Sequence, residues 1–164
     1  MFRLLAGSSM LSCLLSFGVI PIDRPSGETL QAQIAGFLKS ERPLLVVHVI
    51  SPWRLFYTNV DLQRFEGVLK DPGPDYLIQI RDPGLCKRLA EVISATAFDV
   101  RGSQETLDLR YKVEFLDQDR KLFEMHASPS GELLLDGTAY LSRSGGEWLR
   151  QVQFAIWHDL NWKL

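Results

Sequence analysis

Hydrophobic and polar positions along this chain repeat at two different periods. Residues 107–116 alternate strictly: Leu107, Leu109, Tyr111, Val113 and Phe115 fall on one side, and Asp108, Arg110, Lys112 and Glu114 on the other. Period two with this contrast predicts a strand with one buried and one solvated face. After a turn at 117–119, residues 121–127 read as its partner, and a second turn at 128–131 leads into a strand at 132–136. Asp136-Gly137 is a two-residue hairpin signal, because both residues tolerate positive φ. Residues 138–141 then close a four-stranded meander.

Upstream the period changes. Leu30, Ile34, Phe37 and Leu38 recur at helical spacing and predict a helix over 28–39, with Ser26 placed to cap it. The aliphatic run 44–50 reads as a central strand buried on both faces. Residues 53–60 are aromatic and β-branched and suggest another strand after the break at Pro52. Leu62, Phe65, Val68 and Leu69 fit a short helix that Gly67 weakens. Asp71-Pro72-Gly73-Pro74 is a loop. A short strand at 76–81 precedes Asp82-Pro83, an aspartate cap followed by proline at the first helical position. The helix that follows buries Leu85, Leu89, Val92 and Ile93 and leaves Lys87, Arg88 and Glu91 in water. Ser144-Gly145-Gly146-Glu147 has the spacing of a capping box. It opens a last helix over 146–158, with Leu149, Val152, Ala155 and Ile156 inward and Trp148 and Trp157 at its margins.

Strands grouped in runs predict an α+β fold, not a doubly wound one. The expectation is a mainly antiparallel sheet with a C-terminal four-stranded meander, packed against about three helices. The 164 residues suit one domain over 21–164. With 46% hydrophobic and 23% charged residues, the composition is that of an ordinary globular chain. A net charge of −2 provides no field that would steer it onto nucleic acid.

Residues 1–20 stand apart. Arg3 is their only charge, and an apolar and small-residue run fills 4–20, close to the shortest that spans a bilayer. These are the parts of a secretory signal, with cleavage expected after Gly18 and a periplasmic or secreted bacterial protein as the result. A retained anchor would be the chain's membrane contact, and a buried N-terminal helix is the third reading. Residues 10–13 loosely resemble a lipoprotein box at Cys13, although Leu11 is bulky for one. Without the leader, Cys86 is left without an internal partner and, lying in a helix, reads as a buried structural thiol.

Motifs that carry chemistry do not stand out. No phosphate loop, nucleophile elbow, HExxH or CxxC is present. His48, His126 and His158 lack further ligands at metal spacing, so neither a metal nor a cofactor is expected. His48, among valines, reads as a satisfied strand histidine; its sharper reading is a general base with Asp61 or Glu66. Candidate binding residues are the aromatic cluster Trp53, Phe56 and Tyr57, since Trp and Tyr dominate interface energies. Arg110, Lys112 and Glu114 on the polar side of the meander join them.

The segment LDLRYKVEFLDQDRKLFEMHASPSGELLLDG, following the helix DPGLCKRLAEVISA, resembles small Gram-negative envelope proteins of the effector-immunity and inhibitor type over residues 76–137. The resemblance is one of pattern and transfers no functional residue. It implies a non-catalytic module that binds and blocks another protein. The alternatives are a small-ligand or lipid-binding envelope protein, with an apolar cavity between sheet and helices, and a hydrolase whose dispersed site shows as converging titratable groups in a cleft.

Overall fold

The computed structural model describes residues 26–51, 54, 56, 58–101 and 107–161, with side chains described within 30–154. The expected leader, Cys13, Trp53 and Tyr57 lie outside the described residues, as do the side chains of Trp157 and His158. Four helices and seven strands follow in the order α1 (Ser26–Leu38), β1 (Pro43–Val49), α2 (Leu62–Lys70), β2 (Tyr76–Ile80), α3 (Pro83–Ala95), β3 (Phe98–Arg101), β4 (Tyr111–Asp117), β5 (Arg120–Ala127), β6 (Leu133–Leu135), β7 (Thr138–Ser142) and α4 (Glu147–Asn161). The fold is α+β, with one antiparallel sheet ordered β2-β1-β4-β5-β6-β7-β3. Strands β4 to β7 are consecutive neighbours, and β3 closes onto β7 through Phe98↔Ser142 to Arg101↔Ala139.

Local chemistry accounts for the element ends. Asp61 caps α2 by accepting from the Arg64 N–H at 2.8 Å. Asp82 caps α3 by accepting from the Leu85 N–H at 2.6 Å, with Pro83 opening that helix. Asp136 and Gly137 take φ of 47° and 78° and turn β6 directly into β7. The Ser144 hydroxyl pairs with Ser142 Oγ at 3.0 Å instead of forming the expected capping box. Ser26 stands inside α1, not ahead of it.

Three helices close one face of the sheet. Leu30, Ile34 and Phe37 of α1, Leu85, Leu89 and Ile93 of α3 and Trp148, Leu149 and Val152 of α4 pack onto Leu45, Val47, Tyr111, Val113, Phe115, Phe123 and Met125. Phe115 stacks on Phe123 at 4.2 Å and meets Phe37 edge-on at 5.0 Å. Trp148, expected at a margin, is buried and donates its indole N–H to Gly131 O at 2.8 Å. That bond is possible because the β5–β6 turn touches the start of α4. A Cβ on Gly131 would lie 2.6 Å from Gly146 Cα.

The opposite face carries a smaller cluster under α2. Ile50, Val60, Phe65, Leu107, Leu109, Leu134 and Ala139 form it. This cluster overturns three expectations from the sequence. The apolar stripe of 107–116 divides, because β4 begins only at Tyr111: Leu107 and Leu109 enter the α2 cluster, while Tyr111, Val113 and Phe115 enter the main core. The polar side of the meander is not uniformly solvated: α2 and the chain around residues 51–60 bury Arg110 and Lys112, which are 6% and 8% exposed. And β1 is buried on one face only, since Leu44, Val46 and His48 are half-exposed.

Candidate functional site

The half-roofed face gathers ionisable groups from four elements. Strand register supplies the geometry: β1 places His48 opposite Lys112, and β5 places His126 opposite Lys112 and Glu124 opposite Glu114. From above, α2 contributes Glu66, one residue past the buried Phe65, whose ring meets His126 edge-on at 5.4 Å. Glu66 Oε1 accepts from Lys112 Nζ at 3.0 Å and lies 3.1 Å from His126 Nε2. Lys112 Nζ is also 3.4 Å from Glu124 and 3.8 Å from Glu114. Lys121 bonds Glu124 at 2.7 Å, and His48 Nε2 meets Glu114 at 3.2 Å.

Burial and pairing compete at each group. Burial resists a charge on Glu66, but hydrogen bonds from Lys112 and His126 outweigh it and hold the carboxyl below its ordinary range. Glu124 is held low against burial by Lys121 and then Lys112. For Lys112, burial works against the ammonium, yet Glu66, Glu124 and Glu114 together raise its pKa. At His126 burial wins: its pKa falls below 6.5 despite the carboxylates beside it. An ionised carboxylate only accepts, so the Nε2 of neutral His126 carries the proton donated to Glu66.

Glu66, Glu124 and His126 offer ligand atoms within 4.8 Å of one another, a spacing suited to a cation. The Lys112 ammonium already supplies that cation, 3.0 Å and 3.4 Å from the two carboxylates. The cluster is an ion network in which Glu66, Glu114 and Glu124 each have a cationic or imidazole partner. The sharper reading of His48 is corrected in its partners. Asp61 is the α2 cap, Glu66 serves His126 and Lys112, and His48 holds Glu114.

Beside the network, Arg110 fastens the chain that follows β1. Its guanidinium lies 3.1 Å from both oxygens of Asp108, donates to the Arg54 and Ser51 carbonyls at 3.0 and 3.3 Å, and covers the Phe56 ring at 4.7 Å. Arg64 approaches the same ring at 5.5 Å. Arg110 thus bonds two main-chain carbonyls of this segment, and Ser51 O also accepts the Arg54 N–H at 3.0 Å. The described residues of 53–60 form no strand, in contrast to the expectation. Of the candidate binding residues, Phe56 is half-buried in this stack, Arg110 and Lys112 are buried, and Glu114 is half-exposed.

Elsewhere, a groove of about 490 Å³ runs between α3 and α4, lined by Val92, Thr96, Arg143 and Trp148 among others. A second, of about 340 Å³, is lined by Glu41, Arg42, Asp117 and Gln118. Neither touches the network. Cys86 is fully buried, its thiol donates to Ile80 O at 3.1 Å, and burial pushes its pKa up to about 11. Among the described residues no helix is long and apolar enough to cross a membrane.

No protein-family model, curated protein or solved structure matches the chain.

Proposed function

We propose that this chain is an exported, non-catalytic protein-binding module of the inhibitor or immunity type, acting on another protein in the periplasm or outside the cell. The observation that carries the reading is the preorganised ion network on the open part of the sheet. His48, Glu114, Lys121 and Glu124 are half-exposed or exposed and already held in place by their neighbours. Side chains fixed before association lose little freedom on binding, which favours a specific contact. Glu66, Glu114 and Glu124 face Lys112 and Lys121. The patch therefore sets three carboxylates against two ammonium groups and suits a partner face with basic side chains.

The leader-like N-terminus and the envelope-protein pattern over 76–137 support export and blocking. A ligand-binding reading ranks lower, because the space between sheet and helices is filled by Phe37, Phe115, Met125 and Trp148. A hydrolase reading ranks lower because each converging acid or base is paired with another.

A photo-reactive residue at Lys121, compared with one at Arg88 on the opposite side of the fold, tests this. Crosslinking in cells is expected to give one discrete protein adduct from position 121 and none from 88. Equal labelling from both positions, or none from either, would sink the proposal.

A further inference from the structure

The two edges of the sheet differ in how they are guarded. At one edge, β3 carries Asp99 and Arg101, which pair with Arg143 and Glu132 of the same chain. At the other, β2 reads Tyr-Leu-Ile-Gln-Ile, with no charge, proline or bulge inside it. Natural edges are normally blunted by such devices, because an open row of N–H and C=O groups templates another strand. Tyr76 and Leu77 are 62% and 56% exposed. Helix α3 packs chiefly on β1, and among the described residues no strand pairs with the outer edge of β2.

We propose that β2 pairs with β2 of a second copy of this chain, antiparallel about a two-fold axis at Ile78, joining two sheets into one. This goes beyond the proposed partner site and uses a different surface. The segment is complementary to itself in this register. Asp75 falls opposite Arg81 of the second copy, Tyr76 opposite Ile80, and Leu77 opposite Gln79, and each pair occurs twice. Tyr76, Ile78 and Ile80 lie on the helix-covered face, opposite Val49, Val47 and Leu45 of β1. The cross-strand pairs Tyr–Ile and Ile–Ile therefore extend the main core.

Neighbouring registers that keep the faces matched are poorer. A shift one way sets Pro74, which has no N–H, against Ile80. A shift the other way stacks Gln79 on itself and leaves Arg81 facing Leu77. Arg81 contacts only the neutral Gln79 amide at 2.8 Å, so its charge has no acid partner among the described residues. Asp75 receives the Ser51 N–H at 2.7 Å and Arg54 at 3.6 Å. A carboxylate has about four acceptor positions, which leaves room for a second guanidinium.

The paired segment is about 23 Å long, so the dimer is concentration-dependent. Sedimentation of the full chain from micromolar to millimolar concentration is expected to show a reversible monomer–dimer equilibrium. Arg81→Glu, at an exposed position, sets like charges opposite each other twice and is expected to weaken the dimer by about tenfold or more. Register is read by disulfide capture in a Cys13→Ser background. Only a residue on the axis meets its own copy directly, so Ile78→Cys is expected to crosslink at least about tenfold faster than Leu77→Cys or Gln79→Cys. A chain monomeric throughout, a dimer indifferent to Arg81→Glu, or faster crosslinking at 77 or 79 would overturn the proposal. So would occupation of this edge by a different protein alone.

Discussion

The two faces of this sheet are built from alternate residues of the same strands, yet they hold together by different physics. Behind β1, β4 and β5, three helices exclude water, and the contacts are aromatic and aliphatic: Phe115 on Phe123, Phe37 across them, Met125 beneath. On the other side a single short helix, Leu62–Lys70, covers part of the surface. Under it lies the small apolar cluster. At its margin, where water is half-excluded, Lys112 and His126 are tied to Glu66. The difference shows what an incomplete roof does. Apolar packing needs full cover, whereas charges tolerate partial cover if each finds a partner before it loses its water.

The largest effect should come from the closed face. Phe115→Ala removes a fully buried ring from two aromatic contacts. It should cost about 3–5 kcal/mol of unfolding free energy, read from urea denaturation. A loss below about 1 kcal/mol would mean that this face is not the main core.

On the half-covered face, Lys112→Met leaves three carboxylates without their central cation. The expected loss is about 1–3 kcal/mol, smaller than for Phe115 because water still reaches Glu66 and Glu124. Adding Glu66→Gln should restore part of it. If the double variant were less stable than the single one, the network would not be a charge-balanced unit.

Acid separates the faces without mutation. Burial lowers the pKa of His126 in the folded chain, so between that value and about 6.5 the unfolded chain binds more protons. The stability this provides is complete above about pH 6.5 and is lost as pH falls through the folded value. Glu66 and Glu124, both held below 4.5, add a second loss beginning near that pH and continuing through their lower folded values. Lys112 acts at the alkaline end, where its contribution is present below 10.5 and is lost as pH rises through its higher folded value. Urea midpoints from pH 8 to about pH 2 should therefore decline in two limbs, and His126→Gln should remove the upper limb alone. An unchanged upper limb in that variant would assign it to another group.

The smallest effect belongs to the exposed rim, where Lys121 pairs with Glu124. Lys121→Ala should change stability by no more than about 0.5 kcal/mol, because a solvated pair gains little over hydration. A larger loss would place Lys121 inside the supporting network and not at its surface.

Much of this architecture is legible in the residues, for reasons that are local. Asp82-Pro83 announces α3, Asp136-Gly137 supplies two positive φ values, and the Leu85, Leu89 and Ile93 stripe marks a buried side. What the residues do not display is pairing at a distance. The four-residue β3 has little pattern of its own and exists because β7 offers it an edge. The split of Leu107 and Leu109 from Tyr111 cannot be read from alternation, since it depends on Ile50 and Val60 bonding to 109–110 from the other side. The Glu66–Lys112–His126 network is equally hidden, although half of it has a signal. Counting back through a turn at 117–119 sets Glu124 opposite Lys112, on the face His126 shares, and only the tighter turn and the register shift between Phe115 and Leu116 bring His126 itself there. Glu66 comes from a helix whose docking no linear spacing encodes. Phe56 reads from the sequence as an aromatic contact residue, but the structure sets its ring against the guanidinium groups of Arg110 and Arg64.

The touch between Gly131 and Gly146 gives distant kin a fingerprint. Any methyl group added at the first site would strike main-chain atoms, and main chain cannot rotate aside as a flexible side chain could. Descendants of the same ancestor that retain this junction should therefore carry a bare residue in the bend before β6, another fifteen places later, and an indole two beyond that. A search built on that sparse spacing could reach sequences that have diverged everywhere else.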